Sequence, residues 1–347
     1  MTKTSRTAFL WFRSDNRKSA IQNPKWVGVF TIALAFVFGG IEAEAQQPGK
    51  VHRVGYLSAR GAVSLPRSYS EGFRQGLRDL GYIEGKNVLI EFRFAEGKLD
   101  RFPSLVAELV QLKVDVLVST EAAAIRAAKQ ATKTIPIVFV TTQDPVAVGY
   151  VDSLARPGGN ITGLTRLTRE LSGKRLELLK EMVPGISRVG LLGEVDASGL
   201  KDYEAPADAL KIQLQSLEVR GPNPDFEGAF QAAAKVRAGA LITIHNFLIG
   251  RYRKRIADLA IKNRLPSMYE DSRYVEEGGL VSYAADELEV TRRAAVYVDK
   301  ILKGAKPAEL PVEQPTKFQF IINLKTAKQI GLTIPQRVLV RADRVIK

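Results

Sequence analysis

The 347-residue chain contains no cysteine, and that absence removes several chemistries together. It excludes a disulfide framework, a thiolate nucleophile and Cys-ligated zinc. It also removes the acylated cysteine that would tether a lipoprotein to a membrane. Histidine is nearly absent: His52 and His245 stand far apart in the chain, which leaves no basis for a His-built metal site or a Ser-His-Asp triad. There is no G-x-x-x-x-G-K-[ST] phosphate loop and no G-x-S-x-G elbow. The turn after the first apolar run, YLSARGAV, has one glycine where a dinucleotide fold needs several. Beyond Ile41 no apolar run approaches transmembrane length, so the rest of the chain is expected to be soluble.

The one long apolar run is near the start. Residues Met1 to Lys25 carry Lys3, Arg6, Arg13, Arg17, Lys18 and Lys25 against Asp15, and an uncharged stretch, Val27 to Ile41, follows. It ends at Ala43-Glu44-Ala45, a small-x-small site, with Gln46 next. A basic region, an apolar region and an A-x-A site in that order make a cleaved secretory signal over residues 1–45. As a membrane anchor the run is short, because 15 helical residues span about 22 Å against a hydrocarbon core of roughly 30 Å. A protein free in the periplasm of a Gram-negative cell is the expected location.

The remaining 300 or so residues exceed one ordinary core and suit two lobes. Hydrophobic residues make up 45% of the chain, and the formal charge is +14. Such a balance can mark a nucleic-acid partner. Here the basic residues lie beside acids on helices, as in KRLELLKE (Lys174 to Glu181), where i,i+4 pairing is the simpler account. No nucleic-acid partner, metal or cofactor is expected.

From Val51 onward, short apolar runs alternate with amphipathic stretches. VHRVGYLS (51–58), VLIEFRFAEG (88–97), VDVLVST (114–120) and IPIVFVTT (135–142) read as strands. Between them lie helical patterns, the first with Phe73, Leu77 and Leu80 on one face and Gly81 as its stop. After the Gly- and Pro-rich RPGGNITGLT (156–165) the rhythm restarts, with strands at RVGLLGE, QLQSLEV, GALITIH and PSMYE. Residues 194–211 show little pattern. ELEVTRRAAVYVDKILKG (287–304) reads as a late helix with a terminal glycine cap. Repeated β-α units predict an α/β protein of two Rossmann-like lobes, each a parallel sheet flanked by helices.

Ligands of open parallel sheets bind beyond the carboxyl ends of the strands. Those ends hold Ser58, Ser119, Thr120, Glu121, Thr142, Gln143, Asp144, Glu194, Asn246, Tyr269 and Glu270, rich in short hydroxyls, amides and carboxylates. Short hydroxyls and amides near helix N-termini suit a ligand carboxylate, and Asp144 or Asp286 suits an ammonium group. The same residues also suit plain helix capping. Tyr269 and Tyr283 are candidates either to stack on a ligand or to fill the core. Gly158, Gly159 and Gly163 precede the expected passage between lobes and are candidate hinge or turn residues.

Several longer segments carry a resemblance. GFRQGLRDLGYIEGKNVLIEFRFAEG (72–97), IPIVFVTTQDPVAVGYVDSLARPGGNITGLT (135–165), MYEDSRYVEEGGLVSYAAD (268–286) and VDKILKGAKPAELPVEQPTKFQFIINLKTAKQIGLTIP, in this order, resemble the tryptophan/phenylalanine-type ABC transporter substrate-binding proteins. The resemblance implies the type I periplasmic binding protein fold, with three inter-lobe crossings. Residues 46–165 plus about 286–314 then form lobe 1, and 166–285 plus about 315–347 form lobe 2. It further implies a small-molecule ligand, an amino acid or similar small carboxylate, closed between the lobes by hinge motion. A monomer would deliver it to an inner-membrane ABC permease, without enzymatic activity. By position, the family's cleft residues fall near the same Ser58, Ser119, Thr120, Thr142, Asp144, Asn246, Tyr269, Tyr283 and Asp286. Leu191 to Lys211 departs from the family pattern, so an aromatic ligand does not carry over. An exported sensor for a membrane receptor would share the fold and cleft; a cleft enzyme is a further reading, separable by turnover.

Overall fold

The computed structural model describes residues 50–61, 67–166, 168, 170–194, 197–221, 223–244 and 246–347. The expected signal segment and His245 lie outside them. The first sheet has the order β2-β1-β3-β4-β5 and is parallel throughout. Its strands are β1 (His52–Ser58), β2 (Val88–Phe94), β3 (Val116–Ser119), β4 (Ile137–Thr141) and β5 (Ile161–Thr165). Helices α1 (Arg67–Asp79), α2 (Phe102–Gln111) and α3 (Ala122–Ala131) connect them. Because side chains alternate across a strand, Val54, Tyr56, Val116 and Val118 enter one core while Leu57 and Leu117 enter another on the opposite face.

The second sheet has the order β12-β11-β10-β9-β8-β6-β7. It contains β6 (Arg188–Gly193), β7 (Gln213–Glu218), β8 (Ala240–Thr243), β9 (Ser267–Tyr269), β10 (Val281–Ala285), β11 (Phe318–Asn323) and β12 (Arg344–Ile346). In chain order its helices are α4 (Ser172–Met182), α5 (Ala197–Leu210), α6 (Phe226–Lys235), α7 (Phe247–Arg251), α8 (Arg253–Lys262) and α9 (Arg273–Glu276). Leu191 and Ile242 face one of its cores; Leu192 and Leu241 face the other.

Helix α10 (Glu287–Leu302) follows β10 but serves the first sheet. Val290, Ala294 and Val298 pack with Val54, Tyr56 and Phe73. The chain then returns to the second sheet as β11, and so pairs antiparallel with β10, Val281 opposite Ile322. Helices α11 (Leu324–Ile330) and α12 (Gln336–Leu339) complete it. This one antiparallel pair departs from the all-parallel expectation, and the excursion through α10 is its cause. The fold is the two-lobed type I periplasmic binding protein architecture.

Three crossings join the lobes, and they bond to one another. Thr165 N, at the end of β5, donates to Glu313 O at 2.9 Å, joining the entrance of the first crossing to the third. Asp286 N donates to Lys317 O at 3.2 Å, joining the second and third. Arg166 and Glu287 join the first and second, with Nε to Oε1 at 2.6 Å.

The unpatterned segment at 194–211 is largely α5, which contains Pro206. Proline has no N–H to give the carbonyl four residues back. That carbonyl, Asp202 O, accepts instead from Ser172 Oγ on α4 at 2.5 Å. The Gly- and Pro-rich 156–165 also hides a strand, β5. Gly158 and Gly159 turn the chain just before it with φ of 71° and 62°, where a side chain is disfavoured. Gly163 lies inside it, where a Cβ would sit 2.0 Å from Phe139 O. All three glycines lie ahead of the crossing that starts at Arg166, and Gly163 O accepts from Glu313 N of the third crossing at 2.9 Å.

Candidate functional site

A cleft of about 540 Å³ is lined from both lobes, a size suited to a small organic ligand. On the lobe 1 side, three hydroxyls at strand ends repeat one geometry. Ser58 Oγ accepts from Arg60 N at 3.1 Å, Ser119 Oγ from Glu121 N at 3.2 Å, and Thr141 Oγ1 from Gln143 N at 3.0 Å. Each hydroxyl turns the backbone two residues on, as short hydroxyl side chains do. The residue it turns, Arg60, Glu121 or Gln143, lines the cleft. Ser58 and Ser119 themselves are buried beneath it.

Glu121 is the electrostatic centre of this wall. Burial pushes its carboxyl up, and the guanidinium groups of Arg60, Arg166 and Arg273 with the Ala59 amide oppose that rise. Arg166 lines the cleft where the first crossing begins, its Nη1 donating to Val140 O at 3.1 Å and its Nη2 to Glu287 Oε2 at 3.1 Å. Arg126 on α3 is an exposed cation of the same wall.

The lobe 2 wall is built differently. Glu194 follows β6, and Asp202 and Tyr203 come from α5. Asn246 follows β8, caps α7 by accepting from Ile249 N at 2.8 Å, and donates to Glu194 Oε2 at 3.2 Å. Glu270, at the end of β9, accepts from Tyr203 Oη at 2.6 Å and from Arg175 Nη1 at 3.1 Å. Arg175 is fully buried on α4, and donates also to Tyr283 O at 2.8 Å and to Thr168 O. Burial first, then the Glu270 carboxylate, pushes the Tyr203 phenol well above its ordinary value, so it stays a donor. Arg273 lines the cleft while holding Asp271 at 2.8 and 2.9 Å through Nε.

Of the sequence-selected residues, Thr120, Thr142 and Asn246 line the cleft. The others have different places. Asp144 is exposed in the turn after β4 and accepts from Val146 N and Ala147 N at 2.9 and 3.1 Å. Tyr269 is fully buried, stacked on Tyr274 with ring centroids 4.4 Å apart. Tyr283 packs against Phe318 and Phe320. Asp286 caps α10 and accepts from Gln319 Nε2 at 2.7 Å, which makes it a crossing residue. Arg60, Arg166 and Tyr203 escaped the sequence reading, while Glu121, Gln143 and Glu270 stand at strand ends without having been selected as contacts. Arg60, Glu121 and Gln143 each lie two residues past a strand-end hydroxyl, and that offset is the signal that finds them.

Among the described residues no cluster of histidine or carboxylate side chains is arranged to hold a metal ion, and no helix is long and apolar enough to cross a membrane.

Known proteins are similar to this chain in sequence and fold. The family model of ABC transporter substrate binding proteins matches residues 64–346. A tyrosine-binding protein of Clostridioides difficile is 26% identical over 274 residues, 76% of each chain. The structure of a conserved domain protein from Vibrio cholerae superposes with a TM-score of 0.78 and 29% identity, over 85% of this chain and all of that one. An ABC domain in complex with L-Trp from Streptococcus pneumonia superposes at 0.77 with 25% identity, over 85% and 99% of the two chains. With the match running through both lobes and all three crossings, the chain belongs to the ABC transporter substrate binding protein family.

Proposed function

We propose that this protein is the periplasmic solute-binding component of an ABC importer, with an amino acid as its ligand. The observation that carries the reading is a cleft whose two walls come from separate lobes joined by bonded crossings. A ligand touching both walls adds affinity to the closed form alone and draws the lobes together. The closed pair of lobes then presents a composite surface to an inner-membrane permease. The tyrosine-binding and L-Trp-bound relatives support the amino-acid class. Thr120, Thr142 and Asn246, with Arg60, Glu121, Gln143 and Glu270, are the proposed contacts. The protein acts as a monomer without catalysis, nucleic acid or cofactor, and residues 1–45 are removed on export.

The test is a thermal-shift and calorimetric screen of the purified protein against the twenty common L-amino acids, small carboxylates, nucleosides and sugars. A ligand at 100 times its Kd stabilises by about 2.7 kcal/mol, and an amino acid is expected among the hits. Chemical turnover of a hit would overturn the reading, as would a screen in which no compound binds. Sequencing the periplasmic form from its N-terminus is expected to begin at Gln46; retention of Met1 would remove the export step.

A further inference from the structure

Three helices flanking the second sheet end in the same way, each on a cation. Lys211 follows α5, Arg237 follows α6 and Arg264 follows α8, with φ of 55°, 54° and 49°. The next residue closes each turn: Ile212 N donates to Ala207 O at 2.8 Å, Ala238 N to Ala233 O at 2.9 Å, and Leu265 N to Ala260 O at 2.9 Å. Left-handed backbone at such a cap favours glycine, since a Cβ is crowded there. The chain uses glycine elsewhere: Gly81, Gly304 and Gly331 follow α1, α10 and α11 with φ of 87°, 99° and 78°. The helix dipole does not call for the three cations either, because Lys235 and Lys262 already stand in the last turns of α6 and α8.

The sheet brings these helix ends into one row. Leu241 of β8 pairs with Ser267 of β9, Ala240 of β8 with Val189 of β6, and Arg188 of β6 with Gln213 of β7. The starts of β9, β8, β6 and β7 are therefore level, and Arg264, Arg237 and Lys211 lie along an edge of three strand spacings, about 14 Å. These three, with Lys235 and Lys262, are exposed, and among the described residues none of the five side chains makes an ion pair or hydrogen bond. Of the nearby acids, Glu181 is taken by Arg341 and Asp258 by Lys254. Glu204 and Asp208 on α5 stand towards the Lys211 end, so the positive surface is strongest around Arg237 and Arg264. The row lies at the amino ends of the strands, whereas the cleft lies beyond their carboxyl ends.

We propose that this pole of the second sheet is a docking face for a membrane surface of anionic phospholipid. Cations in an open row on long side chains suit a flat, laterally mobile layer of phosphate headgroups. The loops that carry them, 211–212, 236–239 and 263–266, hold no aromatic ring on which a nucleic-acid base could stack. Three cations kept where glycine is sterically favoured are accounted for by what they meet outside the chain. The inference goes beyond the solute-binding reading and does not depend on it: the face holds the protein at a bilayer with the cleft turned away and open to ligand.

The experiment is flotation of the purified protein with vesicles of mixed phosphatidylglycerol and phosphatidylcholine, and of phosphatidylcholine alone, at about 0.1 M salt. Binding is expected only to the anionic vesicles, and to fall as salt rises. The triple variant Lys211→Gly, Arg237→Gly, Arg264→Gly relieves the crowded caps, so its denaturation midpoint should hold or rise. Its vesicle affinity should drop by about 100-fold, at roughly fivefold per cation. The corresponding triple asparagine variant, which also tolerates left-handed backbone, serves if the glycine form does not fold. Exchanging the cations, Lys211→Arg with Arg237→Lys and Arg264→Lys, should keep the binding. All forms share residues 1–45, so any binding through that segment drops out of the comparison. Wild-type protein that ignores anionic vesicles, or floats equally with both kinds, would overturn the proposal. So would binding that survives the glycine and asparagine variants, or capture by heparin or DNA without capture by vesicles.

Discussion

Arg166 grips both carboxylate oxygens of Glu287, at 2.6 and 3.1 Å, and so fastens the residue that begins the first crossing to the first turn of the helix after the second. Both side chains are largely buried. Removing one partner strands the other charge out of water, and Glu287→Ala is expected to cost about 3–5 kcal/mol. Replacing both together, Arg166→Met with Glu287→Leu, should cost much less. Urea denaturation of the single and double variants measures the difference.

Helices α1 and α10 approach each other through glycine. A Cβ on Gly76 would lie 2.7 Å from Arg292 O and 2.8 Å from Ala295 Cβ. Gly76→Val is therefore expected to destabilise by about 1–3 kcal/mol or more. Gly173 on α4 is the contrast, since its added methyl would meet only Pro206, at 3.5 Å. Gly173→Ala should be neutral or slightly stabilising. Chemical denaturation of the two variants separates close approach from a general effect of losing glycine.

The same helix pair carries a pH signature. Tyr82 Oη donates to Asp299 Oδ1 at 3.1 Å, and burial, then that carboxylate, pushes the phenol up to about 12. The folded state keeps a proton that the unfolded state releases from about pH 10, so this part of the stability is complete below that pH and lost as pH rises towards 12. Tyr82→Phe should cost about 1–2 kcal/mol near neutrality and should flatten the wild-type loss between about pH 10 and about pH 12. An unchanged slope in the variant would assign the loss to other groups.

Glu121 gives the same sign at lower pH. Its carboxyl is pushed up by burial despite three nearby arginines. The folded protein therefore holds a proton where the unfolded chain has lost it, and stability falls as pH rises above the ordinary carboxylate range. Glu121→Gln should remove that segment of the profile and stabilise the unliganded protein at neutral pH. Denaturation midpoints of both proteins across the acid-to-neutral range test it.

Much of this was legible in the sequence because buried parallel strands are short, β-branched and apolar. VHRVGYLS and IPIVFVTT contain β1 and β4, with ends displaced by one or two residues. Two elements were hidden by the residues that usually punctuate structure. Pro206 sits inside α5, tolerated because Ser172 takes over the bond it forfeits. β5 follows directly on a Pro-Gly-Gly turn and contains Gly163. The site was less legible for another reason. A strand-end hydroxyl reads equally as ligand contact or backbone cap, and at Ser58, Ser119 and Thr141 the capping bond is the one made, handing the cleft to the residue two positions later. Glu270 stood at a strand end but its setting was hidden, since Arg175 and Tyr203, which fix it, lie 95 and 67 residues away in the chain.

The late return of α10 to the first sheet sets an order of events during synthesis. All five strands of that sheet have been made once Thr165 is added. The apolar face that Val290, Ala294 and Val298 cover stays bare until the helix ending at Leu302 exists. At ribosomal rates that interval is on the order of ten seconds. Through it the N-terminal half is a sheet without its cover, a form that holdases bind. This late helix thus acts as a timer, withholding full packing from the first sheet until Leu302 has been made.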